Sequence, residues 1–518
     1  MRIFLACAAI GGASLLPFDA RAFDRCTKLF SAPSELREFL SRIGVQDAPM
    51  KYFDRARSIR IETDEFPGGL FPFAKFDLEG RPVIVFPANF PPLLCRMVLA
   101  EYLVEDGQRN LITGAAQDAA NCLNAGNGFD TCLVAYGREL EDRYRAAFEG
   151  LPEQHQKVAY IIANDALIQI AKHEYAHHFF DHIEKVRSGK IVRIDAEFEA
   201  DFYALQNGAQ SGQIPSAMYY FFSPLAAVEN FSAKLKSPDY ETGDCRAANV
   251  EDILGALGVV PLLLLNTVEG GKRFREVDLR KVAEELDRYG PPAPSAHSCG
   301  RLAPVVLREA HAELTRLTRL VAEYQDSIRA APGGNDPQGG LGLQAPEVFQ
   351  LIDRLQVAYQ SFTRLKGLAA RALSILILRV EYGGKDSAIT RQLDAVIQSS
   401  AEDILSSDYG RMLQVKGVNT LYEARDQSRE ARMNEAQSLF ERAVTLLPDA
   451  AESWMNLAFI EYVRGDCEKA AAFADKAAGA ADGETRRRTE AIRDAMREMA
   501  RAGNCAEKGK AYATTFGP

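Results

Sequence analysis

The segment His173-Glu174-Tyr175-Ala176-His177 has the residue types and the spacing that bind a metal ion. It lies in an apolar-periodic stretch that predicts a helix, and two histidines four residues apart project from one helix face, one turn apart. Both imidazoles can therefore reach a single tetrahedral Zn²⁺, and Glu174 can hold a water molecule bound to that ion. The spacing predicts one zinc site per chain.

A tetrahedral site of this kind needs a third protein ligand from a second helix. Twenty residues after His177, Glu197 and Asp201 stand four residues apart and share a helix face. Glu197 can ligate the metal, while Asp201 can accept the N–H of a ligating histidine and fix its tautomer. Glu199 is a rival for the third position, but the hydrophobic Phe198 between the two glutamates and the pairing with Asp201 favour Glu197.

The helices that must position these residues can also be predicted. The first runs from about 154 to 186 and ends at Ser188-Gly189-Lys190, where the chain turns back; Asn207-Gly208 ends the second. On one continuous helix, His178 and His182 lie roughly 140° and 180° around from His173. They should not reach the same metal, so we interpret them as surface or core histidines.

The H-E-x-x-H and E-F-E-A-D motifs resemble the gluzincin metallopeptidases, in particular the HtpX-like and CAAX-endopeptidase branch. The resemblance covers 173–201 tightly and 50–310 loosely. It implies that His173, His177 and Glu197 bind Zn²⁺, that Glu174 is the general base, and that Asp201 supports a ligand. The chain is most similar to soluble periplasmic members in which tetratricopeptide repeats follow the peptidase domain.

His297 is a further candidate that rests on this resemblance. Relatives often carry a histidine, frequently before a proline, with an arginine several residues later. By that resemblance His297 is a catalytic candidate, either as a fourth zinc ligand or as an oxyanion stabiliser. Here Ser298 replaces the proline and Arg301 follows too closely, which favours a surface histidine.

The predicted fold class is mainly α (α+β). It combines a zincin-like metallopeptidase domain, a small β-hairpin or sheet, a helical region and an α-solenoid of tetratricopeptide repeats. The predicted domains are a signal peptide at 1–22, the peptidase domain at 23–320, a helical linker at 321–410 with a flexible loop at 331–346, the repeats at 411–505 and a tail at 506–518. The strands are predicted at 70–76 and 82–87, and an Ala-, Asn- and Gly-rich loop at 115–131. The outer strand of such a hairpin binds extended substrate in zinc peptidases of this kind, although a purely structural hairpin is the alternative.

Small residues at repeat-like spacing indicate the C-terminal solenoid. One unit contains Ala436, Phe440, Ala443 and Pro448, and the next begins at Ala451. A capping helix is expected at 484–502, giving about two repeats and a cap. An unrelated helical bundle is the alternative. A repeat groove would offer a surface for a protein partner.

Cysteine usage and the first residues favour export. An apolar run from Ile3 to Leu16 and the triplet Ala20-Arg21-Ala22 predict a cleaved secretory signal, with a membrane anchor as the alternative. Nine cysteines are present, and an even number remains after cleavage, which suggests disulfides in an exported chain. Neighbourhood favours Cys122–Cys132, Cys467–Cys505 and Cys245–Cys299. The predicted compartment is the periplasm.

A formal net charge of −10 argues against nucleic-acid and anionic-membrane partners. The uncharged run at 253–268 is short for a membrane span and favours a buried helix; membrane association is an alternative that nothing else signals. We therefore expect an exported zinc endopeptidase that acts on unfolded or misassembled envelope proteins. A different class remains open: a non-enzymatic periplasmic chaperone or adaptor that works through its repeats and carries a latent metal site.

Overall fold

The computed structural model describes residues 32–63, 70–104, 109–231, 242–257, 278–290, 304–330, 345–379, 387–423, 429–503 and 507. The signal peptide, His297, most of 253–268 and nearly all of the predicted tail lie outside these residues. The chain divides into two compact units. Within the described residues, the first unit consists of the residues up to 48, 52–329 and 360–369. The second unit consists of 49–51, 330–359 and the residues from 370 onwards.

The first unit is mainly helical with one small sheet, as the sequence predicted. Its helices are α1 (Pro33–Gln46), α2 (Phe53–Ser58), α3 (Phe90–Val104), α4 (Arg109–Asn124), α5 (Phe129–Glu149), α6 (Glu153–Phe179), α7 (His182–Arg187), α8 (Arg193–Gln210), α9 (Tyr219–Phe231), α10 (Gly243–Leu257), α11 (Leu279–Tyr289) and α12 (Pro304–Ala330). Its strands are β1 (Arg60–Glu62), β2 (Phe73–Phe76) and β3 (Pro82–Val85).

The sheet has the order β1-β3-β2, so β2 lies at an edge. β1 is parallel to β3, with Ile61 opposite Ile84, and β2 is antiparallel to β3, with Ala74 opposite Ile84. A tight turn joins β2 to β3, where Gly80 takes a positive φ of 75° that disfavours larger residues. The two predicted strands are confirmed in shorter form, and β1 is an additional strand that the sequence did not predict.

α6 is the central helix of this unit and is buried along most of its length. Its buried residues include polar ones such as Asp165, Lys172 and Glu174 beside the apolar ones, so its sequence shows little amphipathic contrast. The prediction of one helix over 154–186 is wrong at one point, because α6 ends at Phe179 and α7 starts at His182. Asp181 between them adopts a left-handed backbone, with φ of 56° and ψ of 32°. The chain therefore changes direction before α7.

α8 returns antiparallel to α6 and continues past Gly208, where the sequence predicted its end. A Cβ at Gly208 would lie 3.1–3.2 Å from side-chain atoms of Gln169 and Gln213. The glycine thus serves close packing between α6 and α8 rather than helix termination. The packed hairpin of α6 and α8 carries the residues that the sequence predicted as metal ligands.

The loop predicted over 115–131 is also wrong, because α4 runs to Asn124 and α5 starts at Phe129. Alanine is the best helix former, and it dominates the stretch that was interpreted as a loop. The disulfide Cys122–Cys132, with a Cα–Cα distance of 5.7 Å, joins the ends of these helices and agrees with the predicted pair. Cys95, Cys245 and Cys467 are disulfide-bonded too, and the two other predicted pairs each include a cysteine outside the described residues.

Gly44 on α1 packs directly against the ring of Tyr175, within the metal-binding motif. A Cβ at position 44 would overlap the Tyr175 ring, which is 2% exposed. We expect Gly44→Ala to lower the free energy of unfolding by about 1–3 kcal/mol, since the packed ring must move. Urea unfolding checks this. In the control Gly479→Ala, no atom lies within 4 Å of the new Cβ, so the same change in another helix should be neutral or stabilising.

The second unit is helical throughout its described residues, apart from a single bridge between Pro49 and Leu405. Its helices are α13 (Ala345–Ser361), α14 (Lys366–Arg379, which starts in the first unit), α15 (Ser387–Ser400), α16 (Ser406–Glu423), α17 (Arg429–Leu446), α18 (Ala451–Arg464), α19 (Cys467–Ala480) and α20 (Gly483–Arg501). α20 matches the predicted capping helix.

Helices α16 to α20 pack pairwise in sequence order around two small cores. Phe440 and Ile460 are fully buried in the first of these cores, and Ala470 and Ala474 lie in the second. Gly465 ends α18 with a left-handed φ of 86°, and the next helix starts two residues later. Successive short-linked helices with small residues at their contacts are the architecture that the spacing predicted; membership of the tetratricopeptide class stays a prediction.

Within the described ranges, no helix combines the length and the apolar character that crossing a bilayer would require.

Candidate metal centre

Three side chains from α6 and α8 bring their ligand atoms to one point. His173 Nε2 lies 3.0 Å from His177 Nε2 and 3.2 Å from Glu197 Oε2, while His177 Nε2 lies 3.6 Å from Glu197 Oε1. Of the histidine, cysteine and acidic side chains in the described residues, these three form a group that could hold one metal ion. The sequence predicted these three residues.

The helical hairpin explains the convergence. The two histidines lie one turn apart on α6, and the antiparallel α8 presents Glu197 and Asp201 to them at the same helical spacing. Ile214 follows the end of α8, and its carbonyl accepts a 2.6 Å hydrogen bond from the Gln169 side chain on α6. This bond helps to fix the register of the two helices. The site therefore depends on rigid helices rather than on a loop.

Asp201 supports His173, as expected. Its Oδ1 lies 2.8 Å from His173 Nδ1, which leaves the other ring nitrogen directed at His177 and Glu197. Arg246 on α10 holds the same carboxylate with two bonds, from Nε to Oδ2 at 2.9 Å and from Nη2 to Oδ1 at 2.6 Å. The guanidinium also lies 4.3 Å from the centre of the Phe222 ring. Sequence reasoning missed Arg246, because nothing local marks an arginine 45 residues away as its partner.

The carboxylates around His173 favour positive charge at the centre. Burial acts to lower the pKa of His173, but Asp201 and Glu197 outweigh burial and raise the pKa to about 10. Burial likewise opposes ionisation of Glu197, yet the bond to His173 holds the pKa of Glu197 well below its ordinary value. Burial and the charge on His173 lower the pKa of His177 to about 3. The anionic Glu197 and the two imidazole nitrogens that face it thus surround a place suited to a cation.

Glu174 follows the first histidine, and its carboxyl group lies close enough to His173, Glu197 and Arg246 for their charges to act on it. It is 6% exposed and lies against the backbone N–H of Ala74 on β2. Burial raises the pKa of Glu174 to about 7, although the charge on His173 acts to lower it. A carboxyl group with a pKa near neutrality can both accept and return a proton at physiological pH.

His182 is buried and lies outside the ligand group, as the sequence predicted, but it contacts the candidate ligand His177, which the sequence did not predict. Its Nδ1 lies 3.0 Å from His177 Nδ1, and its Nε2 lies 3.1 Å from Glu199 Oε2. The helical-wheel argument that placed it opposite His173 assumed one continuous helix, and the break before α7 removes that assumption. Glu199, the rival third ligand, bonds to His182 instead of joining the three ligand atoms.

His178 is the core histidine that was expected. It is 1% exposed, and its Nε2 donates to the Val83 carbonyl at 3.0 Å. This bond ties β3 to α6, and so holds the sheet against the helix that carries His173 and His177. His297, the remaining catalytic candidate, lies outside the described residues.

Comparisons with protein-family models, with curated proteins and with solved structures found no match to this chain. What the site can do must therefore follow from its own residues.

Proposed function

We propose that this chain is an exported zinc-dependent endopeptidase of the gluzincin type, acting on unfolded or misassembled envelope proteins in the periplasm. The observation that carries the proposal is the position of Glu174, a buried glutamate whose pKa is about 7. It lies beside two imidazoles and a carboxylate whose ligand atoms meet at one point. The leader-like start and the disulfides support an exported chain.

The donor set and its dimensions fit zinc. Bonds of about 2.0–2.1 Å from a tetrahedral Zn²⁺ to nitrogen or oxygen separate neighbouring ligand atoms by about 3.3 Å. The three separations here are 3.0, 3.2 and 3.6 Å. Two histidines and one glutamate leave a fourth position open, which is the arrangement of catalytic rather than structural zinc sites. Bound there, the ion would polarise a carbonyl group and lower the pKa of a water molecule.

In the proposed reaction, Glu174 accepts a proton from the attacking water while the water oxygen adds to the scissile carbonyl carbon. Glu174 then passes that proton to the amide nitrogen, the C–N bond breaks, and a carboxylic acid and an amine leave. The backbone N–H of Ala74 lies against the Glu174 carboxyl group, so β2 helps to hold this proton carrier in place.

β2 supplies a second element of the proposed reaction. It is one of the two edge strands of the sheet and packs against α6. An extended peptide can add to such an edge through main-chain hydrogen bonds, which accepts many sequences and suits unfolded substrates. All four residues of β2 are partly exposed, including Phe73 and Phe76.

A repeat-based chaperone or adaptor is the second candidate, and a cavity in the second unit favours it. A cavity of about 360 Å³ lies between α16, α18 and α20, lined by neutral polar, apolar and acidic side chains. Its lining includes Gln414, Val418, Glu452, Met455, Asn456 and Thr489. This surface would hold a client segment whether or not the first unit cleaves it.

Zinc content and proteolysis, measured on the chain purified after export, separate the two functions. The peptidase proposal expects one zinc per chain and cleavage of an unfolded protein such as casein, abolished by a chelator and restored by zinc. One zinc per chain without cleavage of casein or of denatured envelope proteins would favour the adaptor. A chain that binds no zinc overturns the peptidase proposal.

Glu197→Ala should remove the zinc-dependent part of stability, because the carboxylate is the third ligand. With free zinc at 100 times Kd, the wild type should gain about 2.7 kcal/mol of unfolding free energy. We expect the variant to gain almost none in thermal unfolding with and without zinc. Glu184→Gln, at an exposed glutamate on α7 that pairs with Arg187, should retain the full zinc effect. An undiminished zinc effect in Glu197→Ala would exclude Glu197 as a ligand.

A further inference from the structure

A chain of three hydrogen-bonded side chains leads from the candidate ligand His177 to the protein surface. His177 Nδ1 meets His182 Nδ1 at 3.0 Å, and His182 Nε2 meets Glu199 Oε2 at 3.1 Å. The His182 side chain is 1% exposed, and the Glu199 side chain is 54% exposed. The ligand group itself does not include His182 or Glu199.

The order of donors and acceptors follows from the end of the chain. An ionised carboxylate only accepts, so His182 Nε2 must carry the hydrogen directed at Glu199. A neutral imidazole with a hydrogen on Nε2 has a lone pair on Nδ1, so His182 accepts at that atom. His177 Nδ1 must then donate, and the lone pair of His177 Nε2 is left facing His173 and Glu197.

We propose that His182 is a positioning residue for the metal centre: it fixes the tautomer and ring orientation of His177, and Glu199 in turn fixes His182. This inference rests on the zinc site proposed above. Outer partners of metal-ligating histidines act in this way, and their loss typically weakens metal binding about 10–100-fold.

The two histidine ligands are therefore supported differently. His173 bonds to Asp201, a carboxylate that Arg246 grips with two hydrogen bonds. His177 bonds to a second imidazole ring, His182, whose own partner Glu199 is half exposed. Removing His182 should loosen only the His177 side of the site.

The break between α6 and α7 is what delivers His182. Asp181 turns the backbone through a left-handed conformation, and Arg55 holds that turn through an ion pair with Asp181 and a 3.5 Å bond to the Phe179 carbonyl. The His182 ring then packs 5.5 Å from the Phe180 ring. A continuous helix would have carried His182 away from His177.

Zinc affinity of full-length variants, measured by competition with a chromophoric chelator at fixed pH, tests the proposal. His182→Leu keeps a similar volume without an acceptor and should weaken zinc binding about 10–100-fold. His182→Asn places an amide oxygen where Nδ1 stood and should recover most of that loss, whereas His182→Gln, whose oxygen lies one bond further out, should not. Thermal unfolding of each variant in chelator reports folding separately from zinc binding.

Glu199→Ala supplies the second arm. It should weaken zinc binding when introduced into the wild type. It should have no further effect in His182→Leu, because that substitution has already removed the hydrogen bond that links Glu199 to His177. In an Asp201→Asn background its effect should add, since Asp201 acts on the other histidine. Asp195→Ala removes the same charge one helical turn away on α8 and should leave zinc affinity close to that of the wild type.

The outcomes keep the two proposals apart. If the wild type binds no zinc, the proposed function fails and the chain of hydrogen bonds has nothing to position. If the wild type binds zinc while His182→Leu, folded in chelator, binds it equally well, the positioning role is wrong. Equal losses in the Asn and Gln variants, or additive losses in the double variant, also overturn it.

Discussion

Glu174→Gln should lower kcat/KM for hydrolysis of an unfolded protein by about 10²–10⁴-fold while zinc stays bound at one per chain. Glutamine keeps the shape and an acceptor for the backbone N–H of Ala74, but it cannot take a proton from water. The three ligand atoms belong to other residues, so the metal site should survive. Metal analysis and initial rates of casein cleavage, measured on the same preparation, check both halves of the expectation.

Asp165 provides a matched control on the same helix. Burial raises the pKa of its carboxyl group to about 7, as for Glu174, although the Ile214 N–H opposes that rise. It lies nine residues, or about 13 Å along the helix, from Glu174. Asp165→Asn should therefore leave the rate of cleavage unchanged. A comparable loss of activity in both variants would mean that Glu174 acts through the stability of α6 and not as a base.

The same control has a definite pH signature. The folded-state pKa of Asp165 is raised above the ordinary value of 3.8, so the folded chain binds this proton more tightly than the unfolded chain. This carboxyl group should thus reduce stability progressively as pH rises from about 4 to about 7. Asp165→Asn should match the wild type near pH 4 and unfold at a higher temperature above pH 7, provided that the amide oxygen still accepts from Ile214.

The candidate metal ligands could be predicted because their geometry is local. Helical periodicity alone puts His173 and His177 on one face, and the same periodicity pairs Glu197 with Asp201. The only long-range assumption was that the chain turns back between the two helices, and Ser188-Gly189-Lys190 predicted that turn. The structure places these four residues as the spacing predicted.

The supporting residues other than Asp201 could not be predicted, since the roles of His182 and Arg246 depend on chain geometry that has no clear local signal. The break that turns His182 towards His177 lies at Asp181, where no glycine marks a left-handed backbone in advance. β1 exists only because it pairs with β3, which follows some twenty residues later. Composition misled the interpretation of 115–131, where asparagine and glycine were given more weight than the helix-forming alanines.

Arg246→Ala should have the largest effect on stability. Asp201 is 2% exposed, and the arginine supplies two of its three hydrogen bonds. Removing one partner of a buried ion pair costs about 3–5 kcal/mol, because the remaining charge is left without compensation. Zinc affinity should fall as well, since an Asp201 that is free to move holds His173 less firmly. Urea unfolding in chelator and zinc competition measure the two effects separately.

Arg371 and Asp408 give a control for the stability effect, because they form a similarly buried ion pair in the second unit. Arg371→Ala should destabilise the chain by a similar amount without changing the zinc affinity of molecules that remain folded. Arg246→Lys keeps the positive charge but loses the bidentate hydrogen bonding to Asp201. Its loss of stability should therefore be smaller than that of Arg246→Ala. If Arg246→Ala lowered stability and left zinc affinity at the wild-type level, Arg246 would serve the fold alone, and Asp201 would orient His173 without its help.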